Sequence, residues 1–196
     1  MDAVTRRQLG VCYFPEHWDP ADWPADAAEM RALGIDFVRI GEFSWGVTEP
    51  EPGITQLDWM QDSLDLLHSH DIKVVLCTPT ATPPKWLVDS MPDMLATDHN
   101  GQLRSFGSRR HYSFAHMGYR REAARITRLV ADRLGTHPAV IGWQTDNEYG
   151  CHDTTISYGA ADLVAFRDWL AQRYQSADAL NRSWGNVFWS MQYRGF

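Results

Sequence analysis

Four short apolar runs recur along the chain, at residues 9–14, 37–40, 73–77 and 139–143, and each is followed by a helical pattern. This alternation constrains the fold more than any other feature. Runs of four to six apolar residues suit strands, whereas Met60, Leu64 and Leu67, or Ile126, Val130 and Leu134, recur at helical spacing. Asp22 and Pro24 mark the start of the first helix and Gly34 its stop. Leu163, Phe166, Leu170 and Tyr174 predict a later helix, and Ser176 caps a last short one through Leu180 and Trp184. Strands of this kind predict a parallel sheet buried on both faces by helices. A doubly wound sheet and a barrel both fit. A dinucleotide fold wants a glycine-rich turn after its first strand, but here that turn is Pro15-Glu16-His17-Trp18. Polar and aromatic residues gather after each strand, which favours a (β/α)8 TIM barrel. A whole barrel needs eight units and about 250 residues. Residues 1–196 supply four units and show no linker or internal repeat. The expectation is therefore the N-terminal half of one barrel domain, truncated.

Net charge is −7, which argues against a phosphate-backbone partner and so against nucleic acid. No stretch approaches a membrane span, and the N-terminus carries no signal-peptide pattern. Cys12, Cys77 and Cys151 are sparse and far apart. That usage points to reduced thiols and a cytoplasmic location. Cys12 and Cys77 lie in apolar runs and read as small core residues. There are nine tryptophans. Their flat apolar faces suit the C–H faces of a sugar, although Trp59, Trp169 and Trp184 fall in helical patterns and read as core.

The densest polar cluster follows the fourth strand, in Gln144-Thr145-Asp146-Asn147-Glu148-Tyr149. A strand that delivers a carboxylate at its C-terminal end is where such barrels place catalytic groups. One helix cap would need a single residue of this kind, not five in a row. Glu16, Glu42, Asp146 and Glu148 all stand near strand ends. Retaining glycoside hydrolysis uses two carboxyl groups about 5 to 5.5 Å apart, and its acid must stay protonated through burial or a neighbouring negative charge. Glu148 is placed for that role. Glu42 is its in-chain rival for the nucleophile, and reads better as a residue that orients a loop or binds a hydroxyl. The long segment 78–117 is rich in Pro, Ser, His and Arg, and its aromatics predict an ordered loop. Within it Arg109 is placed either to hold a carboxylate ionised or simply to face solvent. His111, His116 and the run Cys151-His152-Asp153 lack zinc spacing, so no metal is expected. No nucleophile elbow is present.

At these residues the chain resembles glycoside hydrolase family 42, the β-galactosidases. The resemblance runs through Val11-Cys12-Tyr13-Phe14-Pro15-Glu16-His17-Trp18, Arg39-Ile40-Gly41-Glu42-Phe43-Ser44-Trp45 with Glu49-Pro50, Thr78 to Leu87, Gly107 to Tyr112, and Asn181 to Tyr193. Its most specific match is Trp143 to Gly150. It implies a retaining hydrolase of terminal β-linked galactose that needs no cofactor. Glu148 matches the acid/base and Asn147 the residue that binds the sugar 2-hydroxyl. Arg109 matches an arginine near the nucleophile, and Trp189 a loop aromatic near the galactose. The family nucleophile is a Glu on a later strand, expected beyond Phe196, so the chain alone is expected to be inactive. Half a barrel is also expected to expose sheet edges and to self-associate. The resemblance further implies a homotrimer for the full-length enzyme. Some relatives carry a zinc on cysteines; here Ser113, Ser157 and Gly159 stand at those positions, so no zinc is expected. Another retaining glycosidase of the same barrel clan, an arabinosidase or fucosidase, is the alternative, as is a non-catalytic sugar-binding fragment.

Overall fold

A computed structural model describes residues 7–107, 109–151, 154 and 156–196. Its centre is a four-stranded parallel sheet in the order β1 (Gly10–Cys12), β2 (Phe37–Ile40), β3 (Lys73–Cys77) and β4 (Val140–Gln144). Spatial order equals sequence order. A doubly wound sheet reverses direction at a switch point; this one does not, so it winds one way as a barrel does. Val11, Val38, Val74 and Val140 lie in one register row. Between β3 and β4 the register slips after Val74, so that Leu76 pairs with Trp143 and Cys77 with Gln144.

The helices α1 (Trp23–Ala32), α3 (Asp58–Ser69) and α5 (Met117–Leu134) cover one face. Successive strand residues point to opposite faces. Val38, Ile40, Val74 and Leu76 therefore meet Ala27, Leu64, Leu67, Val130 and Leu134 in the main core. Each fully buried Leu or Ile there contributes roughly 1.5 to 3 kcal/mol. The other face carries Cys12, Arg39, Val75, Cys77 and Gln144. It is the side that a closed barrel would enclose.

The described residues of the segment 78–117 are ordered because they have a core of their own. Trp45 from α2 (Trp45–Thr48), Leu87 and Val88 from α4 (Lys85–Ser90), Met94, Tyr112, Tyr119 and Ile126 form a second buried cluster. The helix α4 was hidden in the sequence by the prolines on either side of it. Glu49 is fully buried at its edge and accepts from the Arg125 guanidinium at 2.6 Å and from Trp45 Nε1 at 3.2 Å. That network fixes the second strand's loop against α5.

Several core expectations fail. In β4, Ile141 is 54% exposed and Trp143 is also exposed. In β1, Val11 and Cys12 are exposed, so Cys12 is not the core residue expected, whereas Cys77 is buried. β1 and β4 are the two outer strands of the sheet and have a strand neighbour on one side only. Helix α6 (Ala160–Tyr174) buries Leu170 but leaves Leu163, Phe166 and Trp169 exposed. It packs on α7 (Ala177–Trp184), where Trp184 is exposed too. Trp169 and Trp184 are thus surface aromatics here, not core. Ser176 does cap α7, accepting from the Ala179 amide at 3.2 Å.

Candidate active site

The ends of β2, β3 and β4 and the loop 95–114 converge on the segment after Gln144. Asp146 is its anchor and is only 6% exposed. Its carboxylate accepts from Tyr112 Oη at 2.9 Å, Thr80 Oγ1 at 3.0 Å and the Asn147 amide at 2.6 Å. Its own amide donates to Thr78 Oγ1 at 2.7 Å. Tyr112 stacks on Tyr119, whose hydroxyl donates to the Thr80 carbonyl at 2.7 Å. Burial pushes both phenols above their usual range, with the Asp146 charge adding to the effect, so both stay protonated donors.

Arg110 is almost wholly buried. It lies 3.5 Å from Asp146, donates to the Asn147 carbonyl, and places its guanidinium over the rings of Phe114 and Tyr149. Arg109 points the other way. Its Nη1 lies 2.9 Å from Glu148 Oε2, and its guanidinium sits over Phe43. Arg109 is therefore partly exposed and paired with Glu148, the residue matched to the acid/base rather than to the nucleophile. The Glu148 side chain is 49% exposed. The burial or negative neighbour that the sequence argument asked for is not supplied by these residues; its close partner is a cation. Asp146, Glu148 and Arg110 all have positive φ, at 56°, 44° and 58°. Left-handed backbone at non-glycine residues costs of order 1 kcal/mol or more each, and clusters where surrounding contacts over-determine it.

Asn147 is 2% exposed. Its Oδ1 accepts from Gln144 Nε2 at 3.3 Å. Gln144 Oε1 in turn accepts from Arg39 Nη1 at 2.9 Å, and the same guanidinium grips Glu42 Oε1 at 2.7 and 3.0 Å. Glu42 is fully buried. Its observed side-chain partner is Arg39. Burial opposes the charge on Arg39, but Glu42 more than offsets this and leaves its pKa raised. Glu16 lies in the turn Pro15–His17, and burial pushes its carboxyl above the usual range, with Glu42 adding to the rise. Arg39 and Gln144 were missed as site residues in the sequence. The signal was there: a charge at an alternate position of the apolar run Phe37-Val38-Arg39-Ile40 can only point to the inner face.

A cavity of about 680 Å3 opens beside Arg109, lined also by Phe43, Pro84, Trp86 and Phe106. Trp189 is not gathered into the site. It is 80% exposed in the turn Phe188–Ser190, and its ring contact is with Phe188. No group of three potential metal ligands occurs among the described residues. His152 and Asp153 lie outside them. His116 is a helix cap, accepting from the Tyr119 amide at 3.1 Å. Ser113 and Ser157 both donate to Asp162, at 2.7 and 2.5 Å, and the Gly159 amide donates to Ser157 Oγ at 3.3 Å. Asp162 is thus the carboxylate that ties the two serines together.

The family profile of glycoside hydrolase family 42, described as β-galactosidase, matches residues 12–196. The chain belongs to glycoside hydrolase family 42. It is 52% identical over 189 residues to a β-galactosidase of Halorubrum lacusprofundi, covering 96% of this chain and 27% of the relative. It is 53% identical over 188 residues to one from Thermus sp., covering 96% and 29%. Its fold matches the crystal structure of a β-galactosidase from the psychrophilic Marinomonas ef1, with a TM-score of 0.93 and 60% identity over 96% of this chain and 29% of that one. The chain thus spans a little over a quarter of the length of the family 42 relatives it matches. Its four parallel strands form part of the barrel found in those relatives.

Proposed function

We propose that this chain supplies the acid/base half of the active site of a retaining β-galactosidase. The observation that carries the proposal is the juxtaposition after β4: Glu148 stands half-exposed against Arg109, while Asn147 beside it is buried and held by Arg110 and Gln144. In the first step Glu148 donates its proton to the glycosidic oxygen as the aglycone leaves, while a carboxylate from a later strand attacks the anomeric carbon. In the second step the Glu148 carboxylate takes a proton from water, which displaces the enzyme carboxylate and releases galactose with retained configuration. Asn147 binds the 2-hydroxyl. Arg109 positions Glu148 and closes the cavity that Trp86 and Phe106 line, where an aromatic face can meet a sugar ring. Trp189 joins the site only when further parts of the barrel bring the turn Phe188–Ser190 inward.

The nucleophile is supplied from outside these residues, so the chain by itself is expected to show little or no hydrolysis. No step calls for a cofactor. The experiment is a panel of nitrophenyl glycosides offered to a full-length enzyme carrying residues 12–196. The β-galactoside is expected to be the best substrate. A better arabinoside or fucoside would move the assignment within the same barrel clan, and hydrolysis by the 196-residue chain alone would overturn the external nucleophile.

A further inference from the structure

The hydrogen bonds that run from Glu42 to Asn147 have a direction, and the direction matters for substrate recognition. A carboxylate only accepts and a guanidinium only donates. Arg39 gives two N–H groups to Glu42 Oε1, at 3.0 and 2.7 Å, and a third to the side chain of Gln144 at 2.9 Å. The Gln144 atom facing Arg39 must therefore be its carbonyl oxygen. This fixes which way round the Gln144 amide lies, and turns its NH2 toward the next loop. That nitrogen donates to the Asp146 carbonyl at 2.9 Å and to Asn147 Oδ1 at 3.3 Å. Asn147 is thereby fixed in turn. Its carbonyl oxygen is occupied, and its Nδ2, buried, finds no acceptor among the described residues. An amide nitrogen left so in a protein interior is costly unless something arrives to accept from it.

Arg39 and Gln144 meet because alternate strands of a barrel contribute side chains to the same interior layer. They come from β2 and β4, with β3 between them. Glu42 is fully buried, so its charge and its hold on Arg39 are shielded from solvent.

We infer that Gln144 is a positioning residue for substrate recognition: set by Arg39 and Glu42, it orients the Asn147 amide so that the site presents a donor to the sugar 2-hydroxyl. This rests on the reading of Asn147 as the 2-hydroxyl ligand. The hydroxyl oxygen accepts from Asn147, and its own proton is left to donate elsewhere in the site. Gln144 itself does not touch substrate. Without its NH2, the Asn147 amide is free to turn over, and a turned amide offers an acceptor to a group placed to accept.

The experiment measures kcat/KM for a β-galactoside and its 2-deoxy counterpart in a full-length enzyme carrying residues 12–196. It compares the unaltered protein with Gln144→Met and Gln144→Glu. Methionine keeps the length and removes all three side-chain hydrogen bonds of Gln144. Glutamate keeps the contact with Arg39 and removes only the donor, so it carries the same test if Gln144→Met does not fold. A purely structural role for Gln144 would lower both substrates together and leave their ratio unchanged. The inference predicts that the preference for the 2-hydroxylated substrate falls about tenfold in both variants, the loss of one directed hydrogen bond. An unchanged ratio in either folded variant overturns it. If the unaltered enzyme does not hydrolyse galactosides, or hydrolyses them without preference for the 2-hydroxyl, it is instead the reading of the site that fails.

Discussion

At Asp146 the backbone takes a φ of 56°, and the side chain ties both ends of the long segment to its own loop. Thr80 comes from the start of that segment, Tyr112 and Arg110 from its far end, and the Asn147 amide from the next residue. Asp146→Ala would leave a buried guanidinium and a buried phenol without this acceptor. The expected cost is about 3 kcal/mol of unfolding free energy, read by urea denaturation; a loss below about 1 kcal/mol would show that the hub is dispensable. Glu16 behaves oppositely. Burial raises its folded pKa above the unfolded value, so its contribution to stability is fully present below the ordinary glutamate range and is lost as pH rises through the folded pKa. Glu16→Gln is neutral at every pH. It should melt higher than the parent at about pH 8 and no higher at about pH 4; equal melting points at both pH values would contradict the burial argument. At this scale the sequence singled out Glu148 and Asn147, because polar residues crowded after a strand have few plain explanations, and it left Arg109, which meets Glu148 in the fold, open. It was silent on Arg110, which read as half of a short basic pair. Only folding shows that neighbours Arg109 and Arg110 point to opposite sides.

The elements were legible where hydrophobic spacing was regular. β2 and β3 run as expected, and α3 and α5 present the apolar faces that their spacing predicted. The short helix α4 was not legible, because Pro83-Pro84 ahead of it and Pro92 behind read as loop. Burial was misjudged at β4, since an apolar strand looks the same whether it lies inside a sheet or at its margin. Gly10 shows how tightly the strands are fitted. A Cβ built there would lie 2.3 Å from the Phe37 ring, so that ring rests directly on the β1 backbone. Gly10→Ala should lower stability by about 2 kcal/mol through overpacking, and Phe37→Leu in the same molecule should recover part of the loss. Additive losses measured by denaturation would mean that the two residues do not compete for space.

Over the whole molecule, apolar surface is distributed unevenly. The core clusters lie under α1, α3, α5 and the long segment, whereas Ile141, Trp143, Leu163, Phe166 and Trp169 are exposed on β4 and α6. Exposed apolar area on this scale drives association. The 196-residue chain is expected to self-associate at micromolar concentration, read as a mass above 22.4 kDa by light scattering; a monomer over that range would argue that the surface is already compatible with water. The resemblance to family 42 was readable from ordered motifs spread along the chain, and the barrel class from alternation together with the polar and aromatic residues gathered after each strand. The activity was less legible, because the proposed nucleophile lies outside these residues. The proposed mechanism turns on Glu148. In a full-length enzyme carrying residues 12–196, Glu148→Gln should be measured on β-galactosides whose leaving groups span a wide range of acidity. Loss of kcat/KM by about 100-fold or more is expected on poor leaving groups, with little loss on dinitrophenyl galactoside, which needs no proton to depart. Activity unchanged on the poor leaving groups would remove Glu148 from the role of acid.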